Sequence, residues 1–104
     1  MKQNNYSIRY LPIFKKDLNE IVFYISNVLN NPKAAENLID EVETAILERS
    51  KSPLSFEPYR SLKKRKYPYY RIYVKNYVVY YVVIDNVMEV RRLLYKARDL
   101  NKIL

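Results

Sequence analysis

The chain has 104 residues, which is typical of one domain, so we expect a single domain over residues 1–104. It contains no cysteine, histidine or glycine, which excludes disulfides, thiolate or imidazole metal ligands and glycine-rich phosphate loops, and we expect neither a metal nor a cofactor. The formal net charge of +8 indicates an acidic partner such as a nucleic acid, an acidic protein or an anionic surface.

The apolar runs bear on where the protein works. Residues 1–5 lack the apolar run of a signal peptide. The longest uncharged apolar run, residues 77–84, is too short to cross a bilayer. Because the absence of cysteine also suits a reducing compartment, we expect a cytoplasmic protein that does not contact membranes.

The first half of the chain predicts a strand and two helices. Residues 6–10 alternate between polar and apolar side chains, as a strand does. Apolar residues then recur every three or four positions over residues 13–29 and again over residues 32–50, which predicts two amphipathic helices. We expect both stripes to be core: Phe14, Leu18, Ile21, Ile25 and Val28 or Leu29 on the first helix, and Ala35, Leu38 or Ile39, Val42 and Ala45 or Ile46 on the second.

The connection between the two helices has its own signals. Asn30 can take the left-handed position that ends a helix, and Asn31 can cap the next one. Pro32 fits the first turn of that second helix. So short a connection predicts an antiparallel helical hairpin.

Residues 52–68 are irregular and punctuated by proline. A dense basic run lies inside this segment, at residues 60–66. Because like charges repel, we expect the run to be solvated and mobile. A harmless basic loop and a patch that contacts phosphates remain open as alternatives.

The segment from residue 69 to residue 95 predicts three antiparallel strands, at residues 69–75, 77–84 and 87–95. The interruptions at Lys75-Asn76 and Asp85-Asn86 suit tight hairpins, because Asn and Asp tolerate positive φ. The middle strand does not alternate, so both of its faces need cover. The helices can cover one face, and we expect either a homodimer or a partner to cover the other.

Together these elements predict an α+β fold with an N-terminal strand, a helical hairpin, a three-stranded antiparallel meander and a short C-terminal helix or tail. Ile103 and Leu104 are expected to pack back onto the core.

This order resembles the RelE/ParE superfamily of bacterial toxins from type II toxin–antitoxin modules, and the resemblance leans toward ParE. At the end of the chain, Arg92 matches an Arg that precedes two apolar residues, and Arg98-Asp99 match an Ala-Arg-Asp-like turn. Tyr95 stands where His is usual. The first helix resembles the family's through Phe14-x-x-Asp17-Leu18-x-x-Ile21-x-x-Tyr24.

The resemblance implies a toxin that arrests bacterial growth and is neutralised by a cognate antitoxin, whose C-terminal segment wraps the toxin's sheet or helices. ParE-like members poison DNA gyrase, and this is the action that we expect. A ribosome-dependent mRNA endoribonuclease of the RelE type is the alternative, so whether the protein is an enzyme stays open. A non-toxic nucleic-acid-binding module is the alternative outside the family.

One position favours the ParE branch. RelE-like ribonucleases carry an Arg directly after the Tyr that opens the middle strand, and here that position is Val78. Val78 can neither stabilise a charged transition state nor move a proton. The remaining catalytic candidates are Arg71, Arg92, Tyr95 and Arg98.

Each of these candidates also has a structural alternative. Arg71 and Arg92 can pair with a helix Glu or a backbone carbonyl, Tyr95 can cap the edge of the core, and Arg98-Asp99 can form a salt bridge that fixes a turn. Residues expected to bind nucleic acid or the target are Lys63, Lys64, Arg65, Lys66, Arg71 and Arg91. Those expected to bind the antitoxin from the open sheet face are Tyr77, Val79, Tyr81 and Val83.

Overall fold

A computed structural model describes residues 6–60, 64–98 and 103. Its elements, in chain order, are β1 (Ser7–Tyr10), α1 (Pro12–Phe23), a π-helical turn (Tyr24–Val28), α2 (Pro32–Arg49), β2 (Tyr70–Val74), β3 (Tyr77–Ile84) and β4 (Val87–Tyr95). The predicted α+β fold is therefore confirmed. Of the predicted C-terminal helix or tail, residues 96–98 form a turn and a bend and Ile103 is described, while the remaining residues lie outside the described ranges. No helix in the described ranges is long and apolar enough to cross a membrane.

The four strands form one sheet in the order β1-β4-β3-β2. The meander β2-β3-β4 is antiparallel as predicted, and β1 joins it as a parallel neighbour of β4, with Ser7 opposite Val87. Positive φ falls on the first residue of each hairpin turn, Lys75 at 54° and Asp85 at 55°. The first turn therefore differs from expectation, because Lys75 takes the left-handed position beside an available Asn76.

A register shift interrupts the pairing of β3 with β4. Tyr80 lies opposite Arg92, whereas the next residue, Tyr81, lies opposite Val90. Arg91 is therefore the extra residue of a β-bulge, a feature that bends a strand and re-aims its side chains.

The helical hairpin forms as its sequence predicts. Asn30 has a φ of 55°, and the Oδ1 atom of Asn31 accepts a hydrogen bond from the backbone N of Ala34 at 3.1 Å. Pro32 occupies the first turn of α2. Both asparagines and the proline thus perform the predicted local roles.

The first helix is not the uniform helix that was predicted. Its last turn is π-helical, and the backbone N of Leu29 donates to the carbonyl of Tyr24, five residues earlier, at 3.0 Å. The wider turn alters the helical phase. Ile25 stays buried, while Val28 and Leu29 are 61% and 55% exposed, so their assignment to the core was wrong.

The main core lies between the helices and one face of the sheet. Tyr77, Val79, Tyr81 and Val83 all face this core, and Val79 and Tyr81 have no exposed surface. This set is the one predicted to bind the antitoxin from an open sheet face, and that prediction is wrong. Because side chains alternate along a strand, the residues that belong to the opposite face are their neighbours.

The chain itself packs against the second sheet face. A smaller apolar cluster of Tyr69, Val78, Tyr80, Val82 and Leu94 lies there, and Tyr59, Tyr67, Ile84 and Ile103 pack against it. We expected a homodimer or a partner to cover this face. That expectation is wrong for the five residues of the cluster, because the chain itself covers them and they are at most 6% exposed. The predicted return of Ile103 to the core is confirmed, while Leu104 lies outside the described residues.

A buried tyrosine fastens the segment after α2 to the sheet. The hydroxyl of Tyr81 donates to the carbonyl of Pro53 at 2.7 Å and accepts from Nη1 of Arg49 at 2.9 Å. The same Nη1 atom donates to the carbonyl of Arg71 at 3.1 Å. This network satisfies the one polar atom of a fully buried side chain and caps a carbonyl of the edge strand β2.

Candidate functional site

Beyond Val90, β4 no longer pairs with β1. This last part of the strand faces an open cleft of about 610 Å³, here called the C-terminal cleft. Three of the four catalytic candidates line it: Arg92, Tyr95 and Arg98. The cleft is closed on its other sides by Asp17, Glu20, Ile21, Tyr24, Tyr77, Leu93 and Leu94.

The floor of this cleft is an ion pair between α1 and β4. Nε and Nη2 of Arg92 donate to the two carboxylate oxygens of Asp17 at 2.7 and 3.0 Å. The backbone N of Leu93 donates to the same carboxylate at 3.0 Å. β1 pairs with β4 only as far as Val90, so Asp17 satisfies a backbone group at the edge that β1 leaves open.

This arrangement gives Arg92 a structural role. Its side chain is 18% exposed and that of Asp17 is 10% exposed. The hydrogen bond to Asp17 raises the pKa of Arg92, against the opposing effect of burial. A guanidinium held in this way stays charged, so it cannot transfer a proton and can only stabilise negative charge. Two of its N–H groups already donate to the carboxylate of Asp17. Arg92 therefore has a structural partner on the helix, although this partner is an Asp and neither the expected Glu nor a backbone carbonyl.

Sequence reasoning quoted Asp17 without giving it a function. The signal was present, because Asp17 lies three residues after Phe14 and four before Ile21, inside an otherwise apolar stripe. A carboxylate at such a position must find a buried partner.

The other two residues of the C-terminal cleft are more accessible. Tyr95 is 47% exposed, and its ring packs edge-on against that of Tyr77 at 6.0 Å. It thus lies at the rim of the cleft, partly packed on Tyr77 and partly exposed to solvent. Arg98 is exposed, and its backbone N donates to the carbonyl of Tyr95 at 3.0 Å. The predicted salt bridge to Asp99 falls outside the described residues.

Val78 lies on the second sheet face and is only 1% exposed. It belongs to the apolar cluster there, so the position that carries an Arg in RelE-like ribonucleases is here part of the packing. No titratable atom exists at this position to stabilise a charged phosphorus centre.

Four of the predicted target-binding residues come together on the second sheet face. Lys64, Arg65, Lys66 and Arg91 line a depression of about 290 Å³ together with Tyr67 and Tyr69, here called the basic pocket. The guanidinium carbon of Arg65 lies 4.9 Å from the ring centre of Tyr69, and that of Arg91 lies 5.7 Å from it. Cation–π contacts therefore hold both guanidinium groups.

The basic run is thus not the uniformly solvated loop that was expected. Lys64 and Lys66 are exposed, but Arg65 is half-buried against Tyr69, and its Nε atom is buried without a hydrogen-bond partner among the described residues. Lys63 lies outside the described residues. Arg71 is directed to a neighbouring part of the same face, where its guanidinium lies 5.0 Å from the ring of Tyr59 and 5.8 Å from that of Tyr73.

A buried carboxylate orients Arg91. Nε of Arg91 donates to Glu89 at 2.7 Å, and Nε of Arg9 donates to the other oxygen at 3.0 Å. Burial alone would raise the pKa of Glu89, but the hydrogen bonds and charges of Arg91 and Arg9 lower it below its ordinary value. Nη1 of Arg91 reaches the hydroxyl of Tyr69 at 3.3 Å. Sequence reasoning missed Glu89, a lone acid within an apolar strand.

The end of the first helical segment carries exposed apolar side chains. Phe23, Tyr24, Val28 and Leu29 are between 49% and 62% exposed, and they surround the π-helical turn. Such turns are frequent at functional sites. A contiguous exposed apolar surface of this kind is typical of a protein interface.

Within the described ranges, no group of three or more side chains that could hold a metal ion is found.

A sequence model of the family described as "ParE toxin of type II toxin-antitoxin system, parDE" matches residues 8–100. A comparison with curated proteins found no significant match.

Several solved structures share the fold. The chain is similar to one from the chromosomal ParDE toxin–antitoxin system of P. aeruginosa, with a TM-score of 0.71 and 12% identity over 88% of this chain and 97% of that one. It is similar to a chain of the archaeal RelE–RelB complex from Pyrococcus horikoshii OT3, with a TM-score of 0.53 and 18% identity over 91% and 99%. It is also similar to YafQ from E. coli strain BL21(DE3), with a TM-score of 0.51 and 18% identity over 88% and 94%.

Proposed function

The chain belongs to the ParE toxin family of type II toxin–antitoxin systems, and we propose that it arrests bacterial growth by acting on DNA gyrase until a cognate antitoxin neutralises it. The toxin class rests on the family match over residues 8–100. A toxin with this target works in the cytoplasm, which is the location that we propose.

The pairing of Arg92 with Asp17 is the observation that carries the choice of gyrase over mRNA. Cleavage of RNA by a protein without a metal needs cations that are free to stabilise the charged phosphorus centre, and groups that transfer protons. Arg92 already donates to a buried carboxylate, and Val78 is an apolar core residue. These two positions argue for a toxin that acts by binding.

The alternative is a ribosome-dependent mRNA endoribonuclease with a rearranged active site. One observation favours it, because the C-terminal cleft gathers Arg92, Tyr95 and Arg98 around a volume of about 610 Å³. In that reading Arg98 would stabilise charge, and Tyr95 would transfer a proton. The folds of RelE from P. horikoshii and of YafQ are compatible with it only at the level of the superfamily.

The antitoxin is proposed to dock on the helical hairpin. The sheet residues first considered are core, whereas Tyr24, Val28 and Leu29 are exposed beside the π-helical turn. Burial of such side chains contributes about 25 cal/mol per Å² before the costs of association. The net charge of +8 favours an acidic antitoxin segment, and that attraction would act mainly on the association rate.

The experiment is induction of the protein in a bacterial host, alone and together with the adjacent gene. The proposal predicts growth arrest alone and recovery upon co-expression. It also predicts induction of a DNA-damage reporter, since a poisoned gyrase leaves broken DNA. Unimpeded growth with abundant folded protein would contradict the toxin function and favour a non-toxic module, and arrest with discrete mRNA cuts would favour the ribonuclease.

A further inference from the structure

We propose that the basic pocket binds a phosphate of a nucleic-acid backbone, and that the sheet face beside it is a binding track for single-stranded DNA. This inference goes beyond the action on gyrase, and it does not depend on gyrase being the target.

The pocket brings four cationic side chains together beside one tyrosine ring. Arg65 and Arg91 both lie against the ring of Tyr69, at 4.9 and 5.7 Å, and Lys64 and Lys66 complete the lining. Planar guanidinium groups donate to phosphate oxygens in pairs, while lysines add point charge. Among the residues that the structure describes, no carboxylate lines the pocket.

The Nε atom of Arg65 provides the most specific evidence. This atom is buried, yet it has no acceptor among the described residues. A buried donor without an acceptor costs about 1–3 kcal/mol, so structures seldom retain one without a reason. Because Arg65 also lines the pocket, a phosphate bound there lies beside this side chain and supplies acceptors that the described residues do not give it.

Contacts with Glu89 and Tyr69 orient the guanidinium of Arg91 for binding the same phosphate. Its Nε atom is committed to Glu89 at 2.7 Å, and its Nη1 atom contacts the Tyr69 hydroxyl at 3.3 Å. The guanidinium is therefore fixed in orientation, while these contacts leave its Nη2 group unused. Because Glu89 also binds Arg9, the three side chains together keep one net positive charge.

Aromatic rings and a further cation continue from the pocket across the face. Tyr59 and Tyr69 each lie 6.4 Å from the ring of Tyr80, so at most twice that distance separates them. Arg71 contacts Tyr59, and the Tyr73 ring beside it is 63% exposed. Alternating cations and rings are the usual means of binding single strands, since phosphates meet the cations and bases stack on the rings.

An acidic peptide fits this surface less well than a DNA strand. Carboxylates would satisfy the lysines, but a peptide made of Asp and Glu has no aromatic ring to stack on Tyr59, Tyr67 or Tyr73. Free inorganic phosphate and a phosphate of a DNA strand would both bind in the basic pocket, whereas only the strand would also contact the tyrosine rings. The experiment must therefore distinguish these two ligands.

The test measures binding of fluorescently labelled oligothymidylate to the purified protein by anisotropy, without gyrase. Lys64→Gln combined with Lys66→Gln is compared with Lys15→Gln combined with Lys16→Gln, a pair on exposed positions of α1 that removes the same charge. We expect roughly tenfold weaker binding and a shallower salt dependence for the pocket pair, and a loss below about threefold for the control pair.

A second comparison tests geometry at constant charge. Arg65→Lys keeps the positive charge but loses the planar fork and its Nε donor, so we expect about fivefold weaker binding. Arg60→Lys, at an exposed position, should stay within about twofold of the wild type. Unchanged thermal unfolding would show that both variants are folded.

Three results would overturn the proposal: equal losses for the two lysine pairs, wild-type affinity of Arg65→Lys, or displacement by polyglutamate as effective as that by unlabelled oligothymidylate. Inorganic phosphate alone, followed through the Arg65 Nε–H resonance, distinguishes the sources. A shift with phosphate but none with oligothymidylate would also overturn the DNA track. Because gyrase is absent, no outcome bears on the proposed target.

Discussion

Asp17 and Arg92 form a two-point ion pair, at 2.7 and 3.0 Å, between the first helix and the last strand. The same carboxylate accepts the backbone N–H of Leu93 at 3.0 Å. One side chain on α1 therefore satisfies the edge of β4 beyond the end of β1, and it pairs with one of the four arginine and tyrosine side chains considered as catalytic candidates.

The first prediction concerns this pair. Asp17→Asn should lower the free energy of unfolding by about 3 kcal/mol or more, because Arg92 would be left partly buried without its countercharge. Urea denaturation at neutral pH measures this free energy. Glu36→Gln is the control, since Glu36 pairs with Lys33 at an exposed site, and it should change the free energy by less than about 1 kcal/mol. Equal effects in the two variants would mean that the buried pair does not hold α1 to β4.

The second prediction concerns Glu89 and acid pH. Arg91 and Arg9 outweigh burial and lower its pKa from the ordinary value of 4.5. A lowered pKa in the folded state means that Glu89 contributes stability above pH 4.5, and that this contribution is lost as the pH falls through the folded-state pKa. Glu89→Gln should therefore reduce stability at neutral pH, and the gap to the wild type should shrink in acid. Urea titrations at several pH values measure it.

Glu48→Gln is the matched control for that series, because Glu48 pairs with Lys51 in an exposed salt bridge. Its difference from the wild type should be small throughout. A gap for Glu89→Gln that does not change with pH would show that the charge on this side chain is not what stabilises the fold.

The third prediction concerns alkaline pH. Burial, with smaller contributions from neighbouring tyrosines, raises the pKa of Tyr80 to about 12, against the opposing charge of Arg71. A raised pKa means that the contribution of Tyr80 is fully present below pH 10 and is lost as the pH rises through about 12. Tyr80→Phe removes this ionisation, so its alkaline unfolding midpoint should move to higher pH. Circular dichroism follows the unfolding, and Tyr95→Phe, at an exposed ring that does not contribute to the Tyr80 shift, should leave the midpoint unchanged. A lower or unchanged midpoint for Tyr80→Phe would contradict the assignment.

The fourth prediction concerns the antitoxin. Val28→Asp, beside the π-helical turn, should speed dissociation of the antitoxin at least about tenfold, because it removes an apolar contact and adds an unpaired charge. Leu54→Asp is the control, since Leu54 is 53% exposed in the segment after α2. Stopped-flow displacement from the complex measures the rates. If Leu54→Asp accelerates dissociation and Val28→Asp does not, the antitoxin docks away from the helical end.

Local signals made much of the fold predictable. Asn30, Asn31 and Pro32 specify their turn through side chains and φ preferences that need no tertiary context. The bounds of β3 and β4 followed from runs of Val and Tyr between turn residues. The π-helical turn was not predictable in this way, because one residue beyond the α-helical repeat leaves no mark in an apolar periodicity.

The candidate site was less predictable, because it depends on which face each strand residue takes. A strand that is apolar on both sides carries no sign of which side meets the helices. The helix-facing position of Tyr81 and the packing of Tyr59 and Tyr67 on the other face follow only from the tertiary arrangement. Asp17 and Glu89 were visible as acids in apolar surroundings. Their most distant partners, Leu93 and Arg9, lie 76 and 80 residues away in the chain.

The action on gyrase is tested most directly by adding the purified protein to gyrase and relaxed plasmid DNA in the presence of ATP. Our account predicts inhibited supercoiling and accumulation of cleaved DNA, both prevented by prior addition of the antitoxin. It also predicts that Arg92→Gln, if folded, acts no differently from Asp17→Asn, because the two residues form one structural pair. Undisturbed supercoiling, together with codon-specific mRNA cuts in a parallel translation reaction, would contradict the account and establish the ribonuclease alternative.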